Sequence, residues 1–107
     1  MSTFNDRQAG FENKFKHDQE LQFKATARRN KLAGLWAAEK FGLSGDAAEA
    51  YAKEVVAADF DKPGDEDVVE KIVADAAKHG VALGVGDVRA QLEHFMPIAK
   101  QQIMEQL

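Results

Sequence analysis

The sequence predicts an all-α protein, a four-helix bundle preceded by a mobile N-terminal arm. Three observations carry that expectation. No stretch sustains the apolar/polar alternation of a half-buried strand. Alanine is abundant and the chain has only 2 Pro, a composition that favours helix. Apolar residues recur at three- and four-residue spacing in four successive segments, separated by glycine or Pro-Gly breaks.

The arm spans residues 1–17 and the bundle residues 18–107. Phe4, Phe11 and Phe15 are spaced so that a helix would align them in one stripe. Gly10 and the dense polar residues around them disfavour a stable free helix, which suits a segment that becomes helical on contact with a partner.

The first bundle helix is predicted over 18–41. Its apolar stripe is Leu21, Ala25, Leu32, Leu35 and Trp36, broadened by Phe23, Ala27, Ala37 and Phe41, and Gly42 is placed to stop it. Asp46 opens the second helix, with Glu49 three residues on as a capping-box pair. Its inward face is Ala47, Ala48, Tyr51, Ala52, Val55 and Val56. Pro63-Gly64 breaks the chain. The third helix, 65–79, starts with Asp65, Glu66 and Asp67, anions that favour a helix N-terminus, and Gly80 ends it. Val68, Val69, Ile72, Val73, Ala76 and Ala77 form its apolar face. After a VALGVG connection, the fourth helix runs from Asp87 to the C-terminus on Val88, Leu92, Phe95, Met96, Ala99, Ile103 and Leu107. Pro97 lacks an amide hydrogen and is expected to kink or interrupt it.

Charge is distributed unevenly. Residues 1–31 hold seven Lys/Arg against four Asp/Glu, a net +3, and the remainder holds seven against fourteen, a net −7. A basic, Phe-bearing arm on an acidic helical body suits a chain that inserts one end into a partner. A net charge of −4 argues against nucleic-acid binding by the whole body. The chain has 0 Cys, which excludes disulfides, thiolate zinc sites and a cysteine nucleophile. No apolar run reaches the roughly 18 residues of a membrane span, and the N-terminus has no signal core, so the cytoplasm is the expected compartment.

Residues 59–70, DFDKPGDEDVVE, imitate a calcium loop: Asp59, Asp61, Gly64 and Glu70 occupy four EF-hand positions. Pro63 and Glu66 break the pattern, so a Pro-Gly turn followed by an acidic helix start is the preferred reading. His17, His79 and His94 are scattered without metal-ligand spacing, and Ser2 and Ser44 lie in no nucleophile motif. No catalytic constellation is present; neither a metal nor a cofactor is expected. Glu49/Lys53 and Glu66/Glu70 read as solvated faces and Trp36 as a core anchor. Arg28, Arg29 and Lys31 read as an extension of the positive surface into the first helix.

The stretches ENKFKHD (12–18), ARRNKLAGLWAAE (27–39) and DFDKPGDEDV (59–68), with TFNDR at 3–7, resemble the zeta subunit of the alphaproteobacterial F-type ATP synthase. The match covers roughly the first two-thirds of the chain. That resemblance implies a non-enzymatic inhibitor, likewise a four-helix bundle. Its N-terminal arm enters a catalytic alpha/beta interface of the soluble head near the rotating stalk and blocks ATP hydrolysis. The implied partners are alpha and beta, with gamma as a further neighbour. The free protein is expected to be a monomer, held at the cytoplasmic face of the inner membrane through the synthase without inserting into the bilayer. Placed by that resemblance, and chosen for size and charge, the partner-binding residues are Phe4, Asp6, Arg7, Phe11, Lys14, Phe15 and Lys16. The alternative from a different class is a regulatory bundle that binds calcium or a nucleotide.

Overall fold

The computed structural model describes residues 18–60 and 64–107. Among these, four helices follow one another: α1 Gln19–Lys40, α2 Gly45–Ala58, α3 Glu66–Lys78 and α4 Val85–Glu105. Helix α1 packs most extensively, against α2 along one side and α4 along the other, and α3 closes the bundle against α2 and α4.

The helix ends follow from local chemistry. Asp18 caps α1 by accepting a hydrogen bond from the Leu21 amide at 3.1 Å. Helices α1 and α3 both end in Schellman motifs. Leu43 N–H donates to the Ala38 carbonyl and Gly42 N–H to Glu39; Val81 N–H donates to Ala76 and Gly80 N–H to Ala77. Gly42 and Gly80 take φ of 82° and 70°, a left-handed conformation that glycine adopts without a Cβ penalty.

Three boundary expectations need correction. Ser44, not Asp46, is the N-cap of α2, and Ser44 makes no side-chain cap bond. Gly45, with φ of 56°, turns the chain one residue earlier, so Asp46 sits inside the first turn, where its charge meets the helix dipole. Helix α4 begins at Val85 rather than Asp87, because the Asp87 carboxylate reaches back to accept from the Gly84 amide at 2.9 Å. The helix also runs uninterrupted through Pro97. Glu93, whose carbonyl the missing amide leaves without its helical partner, is exposed, as is Pro97 itself. Met96, Ala99 and Ile103 hold the segment against the bundle on either side of the proline.

The core is built from small residues on α1 and branched ones elsewhere. Ala33, Ala37 and Ala38 meet Tyr51, Val55, Val68, Val69, Ile72, Val88 and Leu92. A second cluster joins Leu21 and Ala25 to Ile103 at the opposite end. The α1 stripe therefore differs from the expected one. Leu21 and Ala25 are buried as read, but Leu32, Leu35 and Trp36 only flank the interior, and Phe23 faces solvent. Trp36 is half-buried, with Lys40 Nζ 5.3 Å from its ring centroid. Ala47 on α2 and Ala77 on α3 are likewise exposed.

A polar tie braces α2 against α3. Tyr51 Oη donates to Asp75 Oδ2 at 2.8 Å, and Lys71 Nζ donates to the same oxygen at 3.1 Å. Phe41 meets the Tyr51 ring edge-on at 5.4 Å and stacks on His79 at 4.6 Å. Burial pushes the Tyr51 phenol far above its ordinary value, and the Asp75 bond and the charges of Asp75 and Glu54 push it further. Burial also raises Asp75, but the bonds from Tyr51 and Lys71 and the charges of Lys71 and Lys78 outweigh it, leaving that carboxyl below its ordinary value.

The tyrosine shift has a definite sign in stability. Above the ordinary tyrosine pKa of about 10 the unfolded phenol ionises while the folded one keeps its proton, so stability falls as pH rises. Tyr51→Phe is expected to lower stability by about 1 kcal/mol at neutral pH through the lost hydrogen bond. It should also flatten the decline above about pH 10. Urea unfolding at pH 7 and at several alkaline values reads both; an alkaline limb as steep as in the wild type would refute the assignment.

Candidate functional site

The residues expected to contact the partner, Phe4, Asp6, Arg7, Phe11, Lys14, Phe15 and Lys16, lie outside the described residues, as does His17. The structure does describe the base from which they extend: Asp18, the N-cap of α1, and the N-terminal half of that helix.

The basic cluster on α1 is divided among three environments rather than forming one surface. Arg28 Nη1 donates to Gln102 Oε1 at 2.9 Å, tying α1 to the end of α4. Lys31 is exposed. Arg29 is buried, at 5% exposure, which corrects its reading as part of the positive surface. Its Nε and Nη2 donate to Asn30 Oδ1 at 3.1 and 2.8 Å, and Nη2 donates to Asp65 Oδ1 at 2.7 Å.

That ion pair engages one member of the acidic run that imitates a calcium loop. Asp65, in the segment leading into α3, is held by a cation the protein itself supplies. Asp59, at the end of α2, is raised by burial, while the charge of Arg29 and the nearby Asn30 amide pull it down and Asp65 and Asp67 push it up. Asn30 Nδ2 is fully buried and meets no partner of regular hydrogen-bond geometry among the described residues, yet it approaches Asp59 closely enough to favour the ionised carboxylate. Glu70 is exposed on α3, and Asp61 lies outside the described residues. No group of three or more His, Asp or Glu side chains among the described residues is arranged to hold a metal ion.

Because the guanidinium is buried and the Asp65 carboxylate is 43% exposed, removing the carboxylate charge strands the cation in the interior. Asp65→Asn, which preserves shape at the α3 N-cap, is expected to destabilise the bundle by about 1–3 kcal/mol, the solvent-facing side of the pair tempering the loss. The loss should shrink in an Arg29→Met background. Equal losses in the two backgrounds, read by urea unfolding, would show that the pair is not coupled.

Alongside this tie, α1, α2 and the end of α4 enclose an open cleft of about 470 Å³, walled by Phe23, Lys24, Arg28, Lys31, Val56 and Ile103 among others. Phe23 stacks on Phe60 with ring centroids 5.7 Å apart. Sequence reading missed this feature, since it placed Phe23 on the buried face. The signal was Phe23 lying two residues from each of Leu21 and Ala25, off the face those two share. Glu49 and Lys53 are exposed as expected, while Glu66 pairs with Arg89 at 3.3 Å across to α4.

These features define a small all-α bundle with cations and open aromatic rings gathered on one edge. The family model described as ATPase inhibitor subunit zeta matches residues 1–102, and the chain belongs to that family. A structure solved by NMR in solution is 52% identical, with a TM-score of 0.72, over 81% of this chain and 99% of that one. No curated protein matches the chain. Family membership supports a role as an inhibitor of the ATP synthase, in association with that enzyme. No helix among the described residues is long and apolar enough to cross a membrane.

Proposed function

We propose that the chain is a non-catalytic regulator whose residues 1–17 enter a catalytic alpha/beta interface of the ATP synthase head and block ATP hydrolysis. The observation that carries this reading is the extent of the family match. It begins at residue 1, so the basic, Phe-bearing segment belongs to the same pattern as the bundle. An interface that must open and close in each turnover is stopped by a wedge, with no chemistry required of the wedge. Phe4, Phe11 and Phe15 supply the apolar area, each worth roughly 1.5–3 kcal/mol when buried, to offset the ordering of the segment. Arg7, Lys14 and Lys16 steer it towards carboxylates on alpha and beta, with gamma close by at the stalk. Asp6 is the one acid assigned to the contact, a partner for a cation of the head.

The test is to add the purified chain to the isolated head and follow ATP hydrolysis. Dose-dependent, saturating inhibition is expected. Undiminished hydrolysis at concentrations where binding is complete would overturn the proposal.

A further inference from the structure

Three of the large apolar side chains most open to solvent among the described residues gather on one edge of the bundle: Phe23 at 56% exposure, Phe60 at 61% and Leu107 at 65%. Phe23 and Leu107 border the 470 Å³ cleft, and Phe60 borders a neighbouring hollow of about 240 Å³. Lys31 and Val56 line both, so the two form one continuous surface. Rings held open to water around a hollow are an unusual use of aromatic side chains, and they mark contact surfaces. The larger cleft is walled by Lys24, Arg28 and Lys31, with no Asp or Glu side chain among its described lining residues. Its sign is opposite to that of residues 32–107, which carry a net −7.

We infer that this edge is a second docking surface, which seats against an acidic, apolar-studded surface of the same ATP synthase head. The inference rests on the proposed function, because continuity with the arm selects the occupant. Phe23 follows the Asp18 cap by five residues, about 8 Å along the helix at 1.5 Å per residue. An arm seated in the head therefore brings the start of α1, and Phe23 with it, close to the rim of the cleft it has entered. Charge weighs against the nearer alternatives. A second copy would bring Lys24, Arg28 and Lys31 against their own equivalents, and residues 1–17, with Arg7, Lys14 and Lys16 against Asp6 and Glu12, are themselves net positive.

The experiment compares the full chain with Phe23→Ala, Phe60→Ala and Lys31→Glu, by calorimetric titration into the isolated head at low and moderate salt. Residual hydrolysis is measured at saturation in parallel. Lys31 is exposed on α1, so its variant remains readable if an aromatic truncation perturbs folding. Each aromatic truncation is expected to weaken binding about tenfold. Lys31→Glu should weaken it several-fold and reduce its salt dependence. Inhibition at saturation should be unchanged, because the arm is intact. Affinities within twofold of wild type for all three variants would overturn the inference while leaving the arm reading standing. Wild-type binding without inhibition, with affinity still lost in the variants, would support the docking surface and overturn the arm. A wild-type chain that does not bind the head overturns both. Self-association abolished by Phe23→Ala or Phe60→Ala, with head affinity unchanged, would assign the edge to a second copy and overturn the inference.

Discussion

Deleting residues 1–17 is expected to abolish inhibition of ATP hydrolysis while the remaining chain folds as a bundle. The cut is placed before Asp18 for a physical reason. Asp18 accepts from the Leu21 amide, and its own carbonyl accepts from the Gln22 amide at 3.0 Å, so the first turn of α1 starts entirely within the retained chain. Both described core clusters, from Leu21 to Ile103, also lie within it. The truncated chain should keep its helical circular dichroism and melt within a few degrees of the full chain. In the ATPase assay it should leave hydrolysis at the uninhibited rate even when added in excess. The intermediate steps are equally definite. Phe4→Ala, Phe11→Ala and Phe15→Ala each forfeit roughly 1.5–3 kcal/mol of burial wherever the ring is seated, about tenfold to a hundredfold in inhibitory potency. A truncated chain as potent as the full one would transfer the inhibitory function to the bundle.

The four helices were legible because their apolar spacing and their stops agree. Gly42 and Gly80 stand one residue past each C-cap, where the left-handed conformation is needed, and the acidic start at Asp65, Glu66 and Asp67 coincides with a helix N-terminus. The charge contrast between the two ends of the chain was equally visible. What stayed hidden was which of two overlapping faces of α1 turns inward. Leu32, Leu35 and Trp36 outweigh Asn30, Ala33 and Gly34 on any hydrophobicity scale, yet the latter occupy the interior. Bulk favours burial, but close approach of two helices favours small side chains, and that second requirement is a property of the pair. Arg29 was misread because its environment is also set by a distant element. Its neighbour Lys31 does face outward, and the counterion that permits the burial of Arg29 is thirty-six residues away in sequence. The cleft edge was hidden because it exists only once Phe23, Val56, Phe60 and Leu107 are brought together from three parts of the chain.

Gly34 is where that close approach is most exposed to test, and Gly34→Val is expected to destabilise the bundle by about 3 kcal/mol. A Cβ at this position would lie 2.8 Å from the Cα of Ala52 and 3.2 Å from both Cβ and Cγ2 of Val55, all on α2. The closest of these atoms is backbone, which no change of rotamer can move, so α1 and α2 must separate across the principal core. Valine adds two methyl groups to the same obstruction. For a chain of this size the loss corresponds to a fall of about 15 °C in melting temperature. The outcome separates packing from intrinsic helix preference, because a glycine replaced in a helix ordinarily gains stability. Gly86, in the first turn of α4, is the control: nothing lies within 4 Å of its Cβ position, and Gly86→Ala is expected to stabilise by about 0.4–1 kcal/mol. Val55→Ala should rescue Gly34→Val only in part, since it removes Cγ2 and leaves the Ala52 backbone in place. Thermal melts of the two glycine variants settle the matter. A Gly34→Val protein as stable as wild type would mean that α1 and α2 can part without loss, and the tight small-residue seam would then not be what holds the bundle together.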